Sequence, residues 1–242
     1  MPLLVAIDGP AGAGKSTVAN RVGYALGIPY IDTGAMYRSI ALLALEQDLA
    51  FTDDALAGTV SSLGLRFYPS DEGQRVSLGT RDVTDAIRSP EVGRVVSKVA
   101  KLPGVREALV HVQQGLAQSE SAGVVMDGRD IGTHVLPDAD VKIYLTATLE
   151  ARSRRRHAEL VAKGYTGTFE ELMRTLHERD EEDGRRQVAP MRPARDAVVL
   201  DSTVLSVDEV VAMVVALCQT RHGQAGGAKA TATASARVSN HV

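Results

Sequence analysis

The chain has 242 residues, 44% of them hydrophobic and 24% charged, with a formal net charge of −3. That is enough apolar material for one large α/β domain or a domain with inserts, and the near-neutral balance argues against a general nucleic-acid binder. A single cysteine, Cys218, excludes an internal disulfide and a cysteine-based zinc site, as suits a reducing cytosol.

The first apolar run, Leu3 to Asp8, reads as a buried strand. It leads into Gly9-Pro10-Ala11-Gly12-Ala13-Gly14-Lys15-Ser16-Thr17, which fits the phosphate-loop pattern Gly-x-x-x-x-Gly-Lys-Ser. Glycines at those positions let the backbone bend closely around an anion, and the helix that follows adds the positive end of its dipole. In such loops the lysine, here Lys15, reaches the β- and γ-phosphates, and the hydroxyl of Ser16 ligates Mg²⁺. The motif therefore implies a nucleoside triphosphate site.

The spacing predicts a helix over Lys15–Leu26 that stops at Gly27, a short strand over Ile28–Ile31, and a helix from Ala35 to Leu49. A further helix is expected over Asp53–Leu63 with Thr52 as its N-cap. The pattern then changes. Leu65–Tyr68, Arg75–Leu78 and Asp82–Val83 alternate and are separated by turn residues, so they read as an antiparallel meander inserted in the main domain. Helices resume over Pro90–Ala100 and Gly104–Gln118.

Val124–Asp127 and Val141–Leu145 are the next buried strands. A basic helix carrying Arg152, Arg155 and Arg156 follows, and Thr168-x-x-Glu171 is a capping box opening a charged helix that reaches Arg186. Ala197–Asp201 is a fifth strand and Val207–Cys218 a closing helix; beyond Gly223 the Ala, Gly, Thr and Ser composition predicts disorder. Strands alternating with helices imply a parallel sheet covered on both faces. Ligands of such sheets lie beyond the carboxyl ends of the strands, where this chain has Gly9–Ser16, Asp32-Thr33-Gly34, Asp127–Asp130 and Asp201-Ser202.

Asp127 ends its strand in the manner of a Walker B aspartate that holds Mg²⁺; a turn aspartate is the alternative. Beside it, Arg129 suits bidentate contact with a second phosphate and Asp130 a hydrogen bond from a base or sugar; alternatively the two form a surface pair. Arg152, Arg155 and Arg156 recur at i, i+3 and i+4. They read as a solvated face or, with the glycine-containing stretch after Lys163, as a lid over transferring phosphates. Arg179, Asp183 and Arg186 also recur at helical spacing, which by itself describes a solvated helix. The six histidines show no metal-binding spacing.

Taken together the motifs resemble the bacterial cytidylate kinases, nucleoside-monophosphate kinases of the P-loop fold, over residues 3–218. The carriers are the phosphate loop, Asp32-Thr33-Gly34-Ala35-Met36-Tyr37-Arg38, Val105-Arg106-Glu107-Ala108-Leu109 and Asp127-Gly128-Arg129-Asp130-Ile131-Gly132-Thr133. Glu178-Arg179-Asp180 and Val188-Ala189-Pro190 complete the set. The resemblance implies a five-stranded parallel P-loop core with helices on both faces, formed by 1–63 and 119–222. It also implies a monophosphate-binding piece over 64–118 that contains the meander. The arginine-rich helix with its glycine stretch is expected to be a helical lid over 151–168, and the composition predicts a disordered tail over 223–242.

It further implies transfer of the γ-phosphoryl group of ATP, with Mg²⁺, to CMP or dCMP. Arg38 and Arg129 match positions for the acceptor phosphate, and Ser97, Arg106 and Asp130 those that read cytosine. Arg179 and Asp183 match positions near the ribose, with Arg186 close by, and Asp32 and Thr33 belong to the same substrate side. Lys15, Arg129, Arg152, Arg155 and Arg156 are the expected catalytic cations. The expectation is a cytoplasmic monomer acting on small nucleotides, with neither nucleic acid nor membrane as partner. Another small-acceptor P-loop kinase and a nucleotide switch are the rival readings; the Asn-Lys-x-Asp element common in guanine-specific switches is absent.

Overall fold

The computed structural model describes residues 2–221 other than 71, 72 and 163. The predicted tail over 223–242 lies outside the described residues, as does Lys163 of the lid stretch. In chain order the elements are β1 (Leu3–Asp8), α1 (Lys15–Leu26), β2 (Tyr30–Asp32), α2 (Thr33–Glu46) and the single turn α3 (Asp53–Leu56). The small strands β3 (Leu65–Ser70), β4 (Gly73–Leu78) and β5 (Arg81–Asp82) follow, then α4 (Pro90–Ala100) and α5 (Pro103–Ser119). The rest comprises β6 (Gly123–Gly128), β7 (Val141–Thr146), α6 (Leu149–Val161), α7 (Phe169–Gly184), β8 (Val198–Asp201) and α8 over 207–221.

Five of the described strands form a parallel sheet in the order β2-β6-β1-β7-β8, and the other three an antiparallel sheet in the order β3-β4-β5. Apart from Asp8, Asp127 and Lys142, the central strands are mainly apolar because both faces of the sheet are covered. Val5 and Ile7 point to one face and pack with Val18, Val22, Val210 and Val214 of α1 and α8. Ala6 and Met126 point to the other and pack with Met36, Ile40, Val96 and Leu109 of α2, α4 and α5. Parallel register sets Ile7 beside Asp127 and Asp32 beside Asp127, so Asp8, Asp32 and Asp127 finish their strands on one edge.

Local chemistry adjusts several predicted boundaries. Gly27 takes the left-handed cap conformation and Ile28 N–H bonds back to the Gly23 carbonyl, which delays β2 to Tyr30. α2 starts at Thr33, not Ala35, because the Asp32 carboxylate accepts from Ala35 N–H at 3.0 Å and caps the helix at once. The helix expected over Asp53–Leu63 becomes 3₁₀ from Ala57 to Ser62. There Thr59, Ser61 and Ser62 donate their hydroxyls to carbonyls three residues back, competing with the α-helical ladder, and the Thr52 side chain does not cap. The capping box at Thr168 and Glu171 forms, but α7 ends at Gly184, short of Arg186.

The antiparallel sheet joins the main sheet through a side chain. β2 is an edge strand, and Gln74 of β4 sits where a neighbouring strand would. Its Oε1 accepts from Asp32 N–H at 2.9 Å, and its Nε2 donates to the Tyr30 carbonyl. One amide thus satisfies the donor and the acceptor of an exposed ladder.

Candidate active site

The phosphate loop follows β1. Gly9, Gly12 and Gly14 have φ of 146°, 75° and 89°, a region in which L side chains are strained. At Gly9 an added Cβ would lie 2.0 Å from the Leu145 carbonyl oxygen, so the loop crosses β7 at glycine distance. α1 begins at Lys15, directly after the loop, and its first amides supply an anion-binding end. Lys15 is buried, and its Nζ donates to the Pro10 carbonyl at 2.8 Å. Burial and the neighbouring Arg129 push its ammonium down to about 7, although Asp127 pulls the other way.

Oxygen ligands gather next to the loop. Ser16 Oγ donates to Asp127 Oδ2 at 3.0 Å, and Thr33 Oγ1 donates to the Asp127 carbonyl at 2.7 Å. The Tyr30 hydroxyl donates to Asp127 Oδ1 at 2.7 Å, an unforeseen partner supplied by the neighbouring strand. Burial and the nearby Asp32 push the Asp127 carboxyl up to about 6. Among the described residues no group of three or more His, Cys, Asp and Glu side chains could hold a metal. Asp127 with the Ser16 hydroxyl nonetheless fits Mg²⁺, which takes hard oxygens and usually draws most of its ligands from water and substrate phosphates.

Opposite the loop lies a group of guanidinium ions. Arg129 Nε donates to Asp183 Oδ2 at 2.9 Å and Nη1 to the Gly128 carbonyl at 3.2 Å. Arg186 approaches the other oxygen of Asp183 at 3.4 Å. Despite its burial Asp183 is held below the usual carboxylate range by Arg129, Arg186 and Arg179. Arg38 is pushed below its ordinary value by burial, with Arg129 and Arg156 beside it. Arg179 is pushed down to about 9 by burial and by Arg129 and Arg38. Its Nε is buried without a hydrogen-bond partner among the described residues. Lys15, Arg38, Arg129 and Arg179 therefore act on one another as a single cationic cluster, whose mutual repulsion an anion would relieve.

Deeper in, Arg106 of α5 and Asp130 after β6 form a buried ion pair at 2.6 Å. Arg106 also donates to the Ala100 carbonyl at 3.1 Å and lies 5.5 Å from the centre of the Tyr37 ring. Ser97 is half-buried on α4, one turn before Ala100. After Asp130 the chain makes a π-type turn, Ile131–Val135, for which the sequence carries no periodic signal. The two amides that open it donate to Asp8.

The structure divides the three arginines of α6, and so corrects the expectation of a shared face. Arg152 is buried: Nε donates to the Ala147 carbonyl at 2.9 Å, and Nη1 to the Ala11 carbonyl at 2.7 Å and to Asp180 at 2.6 Å. Asp180 also accepts from Ala11 N–H at 3.0 Å, so this pair clips α7 onto the phosphate loop. Leu172 and Leu176 of α7 pack on Ala11 beside it. Arg156 pairs with Glu159 at 2.7 Å and lies near Arg38. Arg155 turns away to Ser202 after β8, donating to its hydroxyl at 3.1 Å and its carbonyl at 2.5 Å. Positions i+3 and i+4 fall on either side of position i and about 100° apart, which is enough to send Arg155 and Arg156 to different neighbours.

Asp8, Tyr30, Gln74 and Asp180 join the site without having been expected from the sequence. Two signals were present: Asp8 is a charge ending an apolar run directly before the phosphate loop, and Asp180 closes the Glu178-Arg179-Asp180 motif. A glycine cradle between β1 and α1, an aspartate ending the adjacent strand and facing cations define a P-loop phosphotransferase site. Within that class the chain belongs to the cytidylate kinase family: the family model described as Cytidylate kinase matches residues 5–220. A cytidylate kinase of an Exiguobacterium species is 52% identical over 210 residues, covering 86% of this chain and 93% of that protein. The cytidylate kinase of Carboxydothermus hydrogenoformans is 48% identical over 209 residues, with 86% and 93% covered. Among solved structures, a gluconokinase from Sinorhizobium meliloti 1021 aligns with TM-score 0.45 and 17% identity, over 90% of this chain and 93% of that one. A likeness that weak adds nothing to the assignment.

Proposed function

We propose that this chain transfers the γ-phosphoryl group of ATP to CMP or dCMP, giving ADP and CDP or dCDP. The observation that carries the reading is the cationic cluster of Arg38, Arg129 and Arg179 set against the phosphate loop. A triphosphate alone is served by the loop and Lys15, so the further guanidinium ions suit a second, phosphorylated substrate.

Gly9 to Thr17 would hold the triphosphate of ATP, and its charge would restore the ammonium of Lys15 that burial opposes. Ser16 and Asp127 would hold Mg²⁺, which supplies charge neutralisation on the donor phosphates when bound. Arg38 and Arg129 would grip the acceptor phosphate. Ser97, Arg106 and Asp130 would read cytosine, with Asp32 and Thr33 on the same side and Arg179, Asp183 and Arg186 near the ribose. The acceptor phosphate is already anionic near neutral pH, so the residues need only align it and balance charge, without a general base.

Arg152 would act by seating α6 and α7 on the loop, Arg156 by facing the acceptor cations, and Arg155 at the donor end beside Ser202. In this reading 1–63 and 119–222 are the core, 64–118 presents the monophosphate, and the 151–168 lid excludes water that would hydrolyse ATP. It also takes the protein as a cytoplasmic monomer working on free nucleotides; sedimentation would report the oligomeric state. Coupled-assay rates with CMP, dCMP, UMP and AMP test the activity: the two cytidylates should lead, and a ranking led by AMP would refute it.

A further inference from the structure

Asp8 is a carboxylate where β1 has otherwise only apolar residues, and it is 4% exposed. Burying a charge there is unfavourable unless its oxygens are satisfied, and burial pushes its carboxyl up to about 6. Both oxygens are used. Oδ1 accepts from Ile131 N–H and Oδ2 from Gly132 N–H, each at 2.8 Å.

These partners belong to the other half of the site. Ile131 and Gly132 open the π-type turn directly after Asp130, whose carboxylate holds Arg106. Asp8 itself is followed by Gly9, the first residue of the phosphate loop. The fit around this link is close. A Cβ on Gly132 would lie 3.4 Å from Asp8 Oδ2 and 3.2 Å from the Lys142 side chain, and one on Gly128 would lie 2.7 Å from Ile131 Cδ1. The turn is therefore seated directly on Asp8 through its first two amides.

We propose that Asp8 is a positioning residue that ties the donor's phosphate loop to the turn presenting Asp130, so that acceptor recognition is set from the donor side. The proposal rests on the reading that Arg106 and Asp130 recognise the acceptor base. Asp8 touches neither substrate. It acts through two main-chain amides, and only a carboxylate of its length accepts from both, since an asparagine of the same shape offers one acceptor and one donor.

The test is Asp8→Asn, with Asp130→Asn assayed in parallel on the full chain. Asp8→Asn should raise KM for CMP tenfold or more, leave KM for ATP within about twofold, and narrow the preference for CMP over UMP in kcat/KM. Equal rises in both KM values, or no change in base preference, would mean a general structural role and overturn the proposal. If Asp130→Asn keeps the wild-type preference, the base reading falls and the proposal with it. If Asp130→Asn loses the preference and Asp8→Asn keeps it, only the proposal falls. Should Asp8→Asn fail to fold, amide exchange on the unaltered protein decides: binding a non-hydrolysable ATP analogue alone should slow exchange at Ile131 and Gly132, and unchanged rates would refute the tie.

Discussion

The proposed donor cradle and acceptor pocket recruit their groups by opposite routes. The cradle is nine consecutive residues, Gly9 to Thr17, and its working atoms are main-chain amides whose directions follow from three glycine dihedrals. The proposed acceptor pocket takes one or two side chains each from α2, α4, α5, the turn after β6, α7 and the residues just after it, spread from Arg38 to Arg186. A site made of backbone is sensitive to any added side chain but needs little support beyond its own strand and helix. One made of long side chains needs each charge held by a partner, and here Asp183 holds Arg129, Asp130 holds Arg106, and Gln74 holds the strand leading into α2.

That contrast can be broken from either side. Gly9→Ala should be the most damaging single change, because the new methyl would meet the Leu145 carbonyl oxygen at a positive φ. A loss of about 4 kcal/mol or more in denaturant unfolding is expected, at the exceptional end for one substitution. A near-normal midpoint would show that the loop can move away from β7.

In the proposed reading Arg129→Ala acts on the other half. It should lower kcat/KM for CMP by about 10²–10³-fold, the usual range for one preorganised charged donor, while KM for ATP changes by less than about threefold. Equal losses for both substrates would contradict its place on the acceptor side.

Gln74→Leu sharpens the comparison with a smaller effect. It leaves the Asp32 amide and the Tyr30 carbonyl without their amide partner, for an expected cost of about 1–3 kcal/mol in unfolding free energy. Any rise in KM should fall on CMP, through Asp32 and α2, and hardly on ATP. A variant as stable as the parent would show that β2 needs no cover on its outer edge.

Most of the elements were readable because their causes are local. α1 stops at Gly27, α4 starts at Pro90 behind the Ser89 cap, and Thr168 with Glu171 forms the box that opens α7. The errors have equally local causes, such as the hydroxyl bonds that tighten Ala57–Ser62. The π-type turn at Ile131–Val135 was not readable, because its shape is held by Asp8, 123 residues earlier for the first contact. Spacing puts the α6 arginines on one face, yet their partners Ala11, Ala147, Asp180, Glu159 and Ser202 come from separate places in the chain.

By itself the sequence determined the alternation of strands and helices, the phosphate loop and the membership of a nucleotide-kinase family, since each is written in contiguous residues with fixed spacing. Only the tertiary structure decided the strand order β2-β6-β1-β7-β8, the pairing of Arg129 with Asp183 and Arg106 with Asp130, and the seats of Asp8 and Gln74. The reason is physical: a buried charge or edge amide takes whichever partner the packed chain brings within about 3 Å, and sequence spacing does not encode that distance between remote segments.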